Sequence, residues 1–267
     1  MDSRFTIAPG QKTKLADIDP DDTGDLRKKK DAEDELAENV AALADLGYRL
    51  YAENRRALLL VLQGMDTSGK DGTIRHAMRG FNPQSCMVKP FKQPSVEELD
   101  HDFLWRIAKA LPPRGHVGIF NRSHYEDVLV VRVHNLVPPE VWKTRYERIN
   151  SFEKLVSEGK TRIVKVFLHI SKDEQRKRLQ ARLDDPRKRW KFSSADLKER
   201  GYWEDYQQAY QDAIDKCSTD YAPWHIVPAN RKWYRNLVVS RLLRKTLEEM
   251  DPQFPPAEEG LENVVVE

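Results

Sequence analysis

The sequence predicts an α/β protein, in which a parallel sheet of five strands lies between two layers of helices as a three-layer sandwich. Short apolar runs without polar alternation recur along the chain, and such runs are typical of strands that are covered on both faces. Segments with helical periodicity separate these runs, and strand–helix alternation of this kind builds parallel sheets through right-handed crossovers. The chain has 267 residues, 39% of them hydrophobic, which is enough for a substantial core.

The chain divides into three parts. Residues 1–55 comprise a polar arm, which we expect to be extended, and one long amphipathic helix over 25–55 that belongs to the same domain as the rest. The charged face of this helix is either a solvated surface or a subunit contact. The core spans 56–250, and 251–267 form a C-terminal tail.

Within the core, the predicted strands are the apolar runs at 57–63, 86–91, 116–121, 162–170 and 224–229. The predicted helices lie near 70–80, 95–111, 138–158, 171–183, 202–217 and 231–250. Two of these helices begin with a capping box, in which Ser95 pairs with Glu98 and Ser171 with Glu174. The stretch 182–201 is basic and rich in turns and interrupts the pattern, so we expect a lid over an active site there.

Charge and hydropathy narrow the range of partners. The formal net charge is only +2, so no overall field attracts the protein to nucleic acid or to a membrane, and any anion site has to be local. No apolar run approaches the roughly 20 residues that a membrane span needs. The N-terminus lacks the apolar stretch of a secretory signal, and Cys86 and Cys217 have no metal-ligand spacing. We therefore expect a cytoplasmic protein with reduced thiols.

A phosphate-binding loop follows the first predicted strand. Gly64, Gly69 and Lys70 have the G-x-x-x-x-G-K spacing, in which backbone amides at a helix N-terminus surround a phosphate and the lysine adds a charge. The apolar strand ends at Gln63 and a helical run follows Lys70, as this motif requires. The alternative is a tight glycine turn that binds nothing.

Two carboxylates distinguish this loop from the usual pattern. Asp71 stands where such loops carry a Ser or Thr that holds magnesium, and Asp66 lies inside the loop. Because a carboxylate repels phosphate oxygens unless a divalent cation lies between them, we predict that Asp66 binds Mg²⁺. Asp71 is either a second ligand or a helix N-terminal acid that the macrodipole favours.

Ligands of such sheets bind at the carboxyl ends of the strands, so we expect an acceptor beside the second and third strands. The second strand ends near Lys92, and the third is followed by Asn121, Arg122, Glu126 and Asp127. Asn121 stands at the position of a Walker B aspartate, so Glu126 and Asp127 are left to supply negative charge. Arg122 either neutralises a phosphoryl group during transfer or forms a surface ion pair with Asp127.

The helix at 171–183 and the predicted lid are strongly basic. Arg178 and Arg182 lie four residues apart on one helical face. Residues 172–200 contain eleven Lys or Arg and six Asp or Glu, a surplus that exceeds the net charge of the whole chain. This surplus is either a solvated surface or a clamp for a polyanion, and its density favours a phosphate chain longer than that of a nucleotide.

Taken in order, these segments resemble the polyphosphate kinase 2 family. The matching segments are GMDTSGKDG (64–72), FKQPS (91–95), HDFLWR (101–106), FNRSHYEDVLVVRV (120–133), KRLQARLDDPRKRWKF (177–192) and PWHIVPANRKWYRNL (223–237). The resemblance implies a P-loop kinase-like fold and reversible transfer of a terminal phosphoryl group between inorganic polyphosphate and a nucleotide, with Mg²⁺ or alternatively Mn²⁺. It also implies a homodimer or homotetramer.

The resemblance assigns roles by position. The segment from Asn121 to Glu126 is similar to that of the subgroup that phosphorylates AMP as well as ADP, and guanine nucleotides are further candidates. Asp66 would be the metal-linked catalytic acid, with Lys70, Arg122, Glu126 and Asp127 as further catalytic residues, the two acids also as metal ligands. Polyphosphate would contact Gly69, Lys70, Arg122, Arg178 and Arg182. The nucleotide acceptor would contact Lys92, Asn121 and Glu126.

Two other classes compete with this interpretation. An ATP-dependent nucleoside monophosphate kinase of the thymidylate kinase type would share the loop, but the basic surplus and Asp71 favour the polyphosphate enzyme. A nucleotide-gated binding switch would need a guanine-reading Asn-Lys-x-Asp segment, which the chain lacks.

Overall fold

Six strands form one sheet in the computed structural model, which describes residues 5–261, 264 and 266. The strands are β1 (Thr6–Ile7), β2 (Ala57–Gln63), β3 (Cys86–Pro90), β4 (Val117–Asn121), β5 (Thr161–His169) and β6 (Trp224–Pro228). Their order across the sheet is β1-β6-β5-β2-β4-β3, and β2 to β6 run parallel. The five predicted strands are therefore confirmed, each within one residue of its predicted bounds.

The sheet contains a sixth strand at one edge that the prediction of five parallel strands lacked. β1 pairs antiparallel with β6, with Thr6 opposite His225 and Ile7 opposite Trp224. Two residues are too few to show a strand period in the sequence, so only contacts with the rest of the sheet define this strand. Ile7 is buried, and the hydroxyl oxygen of Thr6 lies 3.0 Å from Nδ1 of His225.

Helices pack around the sheet. In the described residues they are α1 (Glu33–Glu53), α2 (Lys70–Ala77), α3 (Val96–Leu99), α4 (Trp105–Ala108), α5 (Val130–Val133), α6 (Pro139–Glu158), α7 (Lys172–Asp184), α8 (Ser194–Gly201), α9 (Trp203–Cys217) and α10 (Lys232–Met250). The predicted lid at 182–201 therefore contains the end of α7 and the whole of α8.

Two predicted helices are shorter than expected. The helix predicted over 25–55 begins at Glu33, because Lys29–Ala32 form a 3-10 turn. The helix predicted over 95–111 is the separate single turns α3 and α4. Between them the Asp102 carboxylate accepts a hydrogen bond from the backbone N–H of Leu104 at 3.0 Å, a local turn that competes with helix.

The core surrounds the central strands. All residues of β2 are buried, as are those of β5 from Ile163 to His169, which explains why neither strand shows polar alternation. The N-terminal helix α1 packs on α10, where Nδ2 of the buried Asn39 donates to the hydroxyl oxygen of Ser240 at 3.1 Å. Among the helices that the structure describes, none combines the length and the apolar character needed to cross a membrane.

Candidate active site

The phosphate-binding loop joins β2 to α2 at the carboxyl edge of the sheet. Gly64 and Gly69 have φ angles of 152° and 104°, in the range that favours glycine. A Cβ atom on Gly69 would lie 1.8 Å from a guanidinium nitrogen of Arg235, so a larger residue would have to displace that side chain. Both ends of the loop therefore require glycine.

Lys70 begins α2 and is buried against the loop. Its Nζ donates to the carbonyl oxygens of Gly64, at 2.7 Å, and Met65, at 3.3 Å. Burial lowers the pKa of Lys70 to about 8, and the nearby charge of Arg122 acts in the same direction. An anion bound in the loop would favour the ammonium form and reverse this shift.

Arg122 lies between two carboxylates. One guanidinium nitrogen donates to Oδ1 of Asp66 at 2.7 Å, and another lies 4.0 Å from Glu126. Attraction to Glu126 raises the pKa of Arg122, burial opposes this, and Asp66 adds to the increase. With a φ of 63°, Arg122 has a left-handed backbone conformation that is costly for a residue other than glycine and that recurs at functional sites.

The two residues that depart from the usual P-loop pattern contact each other. Nδ2 of Asn121 donates to Oδ1 of Asp71 at 2.9 Å. Asp71 replaces the hydroxyl residue of the loop, and Asn121 replaces the aspartate of the neighbouring strand. Compared with the usual pattern, the carboxylate lies on α2 instead of β4, and the uncharged side chain lies on β4 instead of α2. A polar contact still joins the two elements.

One cleft brings together most of the residues that the sequence predicted for the site, namely Asp66, Gly69, Lys70, Lys92, Asn121, Arg122, Arg178 and Arg182. Glu126 and Asp127 are not among them, although Glu126 lies 4.0 Å from the guanidinium of Arg122, which does line the cleft. The guanidinium of Arg145 donates to Oδ1 of Asp127 and to its carbonyl oxygen, both at 3.0 Å. Burial raises the pKa of Asp127 to about 6, although Arg145 opposes this. The alternative of an Arg122–Asp127 ion pair is therefore wrong, because each of the two has other partners.

The N–H donors of Arg178 are all used in hydrogen bonds within the protein. Its guanidinium donates to the Glu174 carboxylate and to the carbonyl oxygens of Thr67, Ser68, Ala229 and Asn230. These contacts fix Arg178 between the phosphate loop and the chain that follows β6. Arg182, one turn later, donates to the carbonyl of Lys191 and pairs with Asp196 at 3.2 Å, so it ties α7 to the rest of the predicted lid.

The start of α10 contributes basic residues that the sequence analysis missed. Arg235 is buried against Gly69 and donates to the carbonyl of Ser68 at 3.3 Å. Burial, and then the neighbouring charge of Arg178, lower the pKa of Arg235 to about 10. Lys232 lies in the first turn of the same helix and also lines the cleft. Their position in the sequence could have revealed them, because they follow the predicted strand 224–229 and must lie near its carboxyl end.

The cleft has a volume of about 870 Å³ and a strongly basic lining. Its eleven Lys and Arg residues are Lys70, Arg75, Lys92, Arg122, Lys177, Arg178, Arg182, Lys188, Lys191, Lys232 and Arg235. Among the described residues, three carboxylates, those of Asp66, Asp71 and Glu174, line the same cleft. A chain with a net charge of +2 therefore concentrates positive charge at one place, which suits a polyanionic ligand.

Within the described part of the chain, no three His, Cys, Asp or Glu side chains lie close enough together to hold a metal ion by themselves. Mg²⁺ is usually bound by one or two carboxylates and completed by substrate phosphates and water. The Asp66 side chain lines the cleft and is 29% exposed, so it fits this mode of binding.

The parallel sheet, the loop and the basic cleft define a phosphotransferase of the P-loop class. The family model for Polyphosphate kinase 2 (PPK2) matches residues 26–255. The chain belongs to this family and is an enzyme, a polyphosphate kinase. Membership also implies that a divalent metal is used.

Individual relatives agree with the family match. The chain is 49% identical to "AMP/ADP-polyphosphate phosphotransferase" of Meiothermus ruber over 99% of both proteins. It is 45% identical to "ADP-polyphosphate phosphotransferase" of Rhodopseudomonas palustris, over 94% of this chain and 91% of that one. The crystal structure of Polyphosphate Kinase 2 from Arthrobacter aurescens TC1 superposes with a TM-score of 0.91 at 48% identity, covering 94% of this chain and 91% of that chain.

Proposed function

We propose that the enzyme transfers the terminal phosphoryl group of inorganic polyphosphate to AMP and to ADP, reversibly, with Mg²⁺ as the divalent ion. The observation that carries this proposal is the cleft beside the phosphate loop, where eleven basic side chains face three carboxylates. A nucleotide alone needs only a few such charges, so the lining suits a longer phosphate chain. The names of the two similar enzymes support AMP and ADP as acceptors.

The chemistry needs no general base. The attacking atom is an oxygen of the acceptor's terminal phosphate, which is already largely ionised near neutral pH. The obstacle is repulsion between two polyanions that have to come within bonding distance. Catalysis of this kind consists of positioning and of charge neutralisation, which arginine, lysine and loop amides provide.

Roles for the residues follow from their places in the cleft. The loop amides and Lys70 would hold the donor end, and Lys92 and Asn121 would contact the acceptor. Asp66 would hold Mg²⁺, which when bound supplies a positive charge between donor and acceptor phosphates. Glu126, beside Arg122 but outside the cleft lining, is a second candidate ligand. Arg122, adjacent to Asp66, would neutralise the group in transfer.

The test is an incubation with AMP, polyphosphate and Mg²⁺ in the absence of ATP. We expect ADP and then ATP to appear on ion-exchange chromatography, and a Lys70→Met variant serves as the inactive control. Formation of ADP only when ATP replaces polyphosphate would reject the proposal and support the ATP-dependent kinase. A panel of AMP, ADP, GMP and GDP then defines the acceptor range.

A further inference from the structure

A buried ion pair lies beneath the segment that carries Arg122 and Glu126. Lys165 of β5 and Glu153 of α6 are both 0% exposed, and Nζ lies 2.5 Å from Oε2. Such a pair contributes little to stability, because desolvation offsets the attraction and apolar residues of similar volume often serve as well. Stability alone therefore gives no reason for placing two charges in the core.

The contacts of this pair lead towards the active site. Nζ of Lys165 also donates to the hydroxyl oxygen of Tyr125 at 2.8 Å and to the carbonyl of Cys217 at 2.6 Å. Oε1 of Glu153 accepts from the Tyr125 hydroxyl at 3.0 Å and lies 3.0 Å from Nε2 of His124. All three ammonium donors and both carboxylate oxygens of the ion pair thus have partners, and a buried pair that is satisfied in this way is rigid.

The contacts of Glu153 favour its charged form. Burial alone would raise the pKa of Glu153, but Lys165 and the hydrogen bond from His124 outweigh it and lower that pKa. Nδ1 of His124 is buried without a hydrogen-bond partner in the part of the chain that the structure describes.

His124 and Tyr125 belong to the turn that presents the predicted catalytic side chains. They begin the 3-10 helix His124–Val128, which also carries Glu126, and Arg122 lies two residues earlier. The left-handed backbone of Arg122 requires support, since a strained residue persists only where its surroundings hold it. The backbone N–H of Arg122 donates to the carbonyl of Leu62 at 3.0 Å, and the buried pair holds His124 and Tyr125, two and three residues later.

A second contact joins the same turn to the phosphate loop. The Ser123 hydroxyl oxygen accepts from the backbone N–H of Tyr125 at 3.2 Å and from Nε2 of Gln63 at 3.1 Å. Gln63 is the last residue of β2 and directly precedes Gly64. The loop and the turn are therefore held in one polar framework that is anchored on Glu153 and Lys165.

We propose that Glu153 and Lys165 are positioning residues of the transfer reaction, which act through His124 and Tyr125 on the placement of Arg122 and Glu126. The inference rests on the proposed function, because placement of Arg122 matters only if this site transfers phosphoryl groups. Glu153 and Lys165 do not line the cleft, so they act on the rate through the turn and not by binding substrate.

The test compares two independent changes with a matched control. Glu153→Leu combined with Lys165→Met replaces the pair by apolar side chains, and Tyr125→Phe removes a single hydroxyl. We expect kcat to fall about tenfold in both, with KM for polyphosphate and AMP within about twofold, because a displacement of about 1 Å can cost roughly 10²-fold in rate. Ser240→Ala removes another buried hydrogen bond, to Asn39, outside the cleft lining and should keep the wild-type kcat.

A double-mutant cycle separates positioning from a merely structural role. In an Arg122→Gln background, Tyr125→Phe should cost little further rate, because both changes remove the same function of Arg122. Fully additive losses, or a wild-type kcat in Tyr125→Phe, would overturn the proposal. If the apolar double variant does not fold, the Tyr125→Phe cycle decides by itself. All rates are relative to the wild type, so a wild type without any transfer would reject the proposed function instead.

Discussion

Two groups among the eleven basic side chains of the cleft have opposite surroundings. The inner group is buried and donates to carbonyls of the phosphate loop; it consists of Lys70, Arg178 and Arg235. The outer group is exposed, and none of its members has an ion-pair partner in the residues that the structure describes; it consists of Arg75, Lys92, Lys177, Lys191 and Lys232. Inner cations therefore shape the loop, whereas outer cations are free to meet phosphate. Lining a site and binding its substrate are different properties.

The largest effect should come from the carboxylate beside the inner group. Asp66→Asn should reduce transfer about 10²–10³-fold, the scale of one charged group aimed at the transition state, because an amide does not hold a divalent ion as a carboxylate does. The fold should persist, since this side chain is 29% exposed. Steady-state rates and thermal melts check both points. Asp45→Asn changes an exposed acid of α1 that pairs with Arg49 outside the cleft, so it is the control and should be nearly wild type.

Arg178→Ala tests whether this residue belongs to the inner group. It removes the donor to the carbonyls of Thr67 and Ala229, while Arg235 still donates to Ser68, and each buried unpaired carbonyl costs about 1–3 kcal/mol. We expect the melting midpoint to fall by about 4 °C or more, together with a loss of about tenfold or more in kcat. A raised KM for polyphosphate with an unchanged melting midpoint would show that Arg178 contacts polyphosphate as the outer group does. That result would contradict its assignment to the inner group.

The affinity for polyphosphate should depend on pH through Lys70 of the inner group. Its pKa is lowered from 10.5 to about 8, so in the free protein its charge is lost as the pH rises through 8. Polyphosphate affinity, measured by calorimetry from pH 7 to 9.5 at constant ionic strength, should weaken in the upper half of this range. The stability effect has the opposite sign, because between pH 8 and 10.5 the unfolded chain binds more protons, so stability from this group rises with pH. In the control variant Lys177→Ala, polyphosphate affinity should fall with pH as in the wild type, since Lys70 remains. An affinity of the wild type that does not change with pH would contradict the prediction.

The smallest effect is expected in the outer group. Lys177→Ala should raise KM for polyphosphate about threefold to fivefold with kcat unchanged, because one exposed charge contributes about 1 kcal/mol or less. The difference from the wild type should shrink as salt is added, since salt screens exposed charges. Lys154→Ala removes an exposed lysine outside the cleft and is the matched control. An unchanged KM at low salt would show that exposure in the cleft does not mean contact with the donor.

Much of the fold was predictable because its signals are local. Five strands follow from contiguous apolar runs, and the phosphate loop follows from the spacing of Gly64, Gly69 and Lys70. The strand Thr6–Ile7 and the break at Asp102 were missed, since the first depends on pairing with β6 and the second on one side-chain hydrogen bond. Local patterns do not contain either interaction.

The sequence by itself determined the class of sheet, the loop and the basic surplus, because each depends on residues that lie close together in the sequence. Only the tertiary structure decided which charges are free: it joined Arg178 to the loop, Asp127 to Arg145 and Asp71 to Asn121. It also set Glu153 against Lys165 beneath the active-site turn. The physical reason is that a charge acts according to its partner and its burial, and the folded chain supplies both from residues that lie far apart in the sequence.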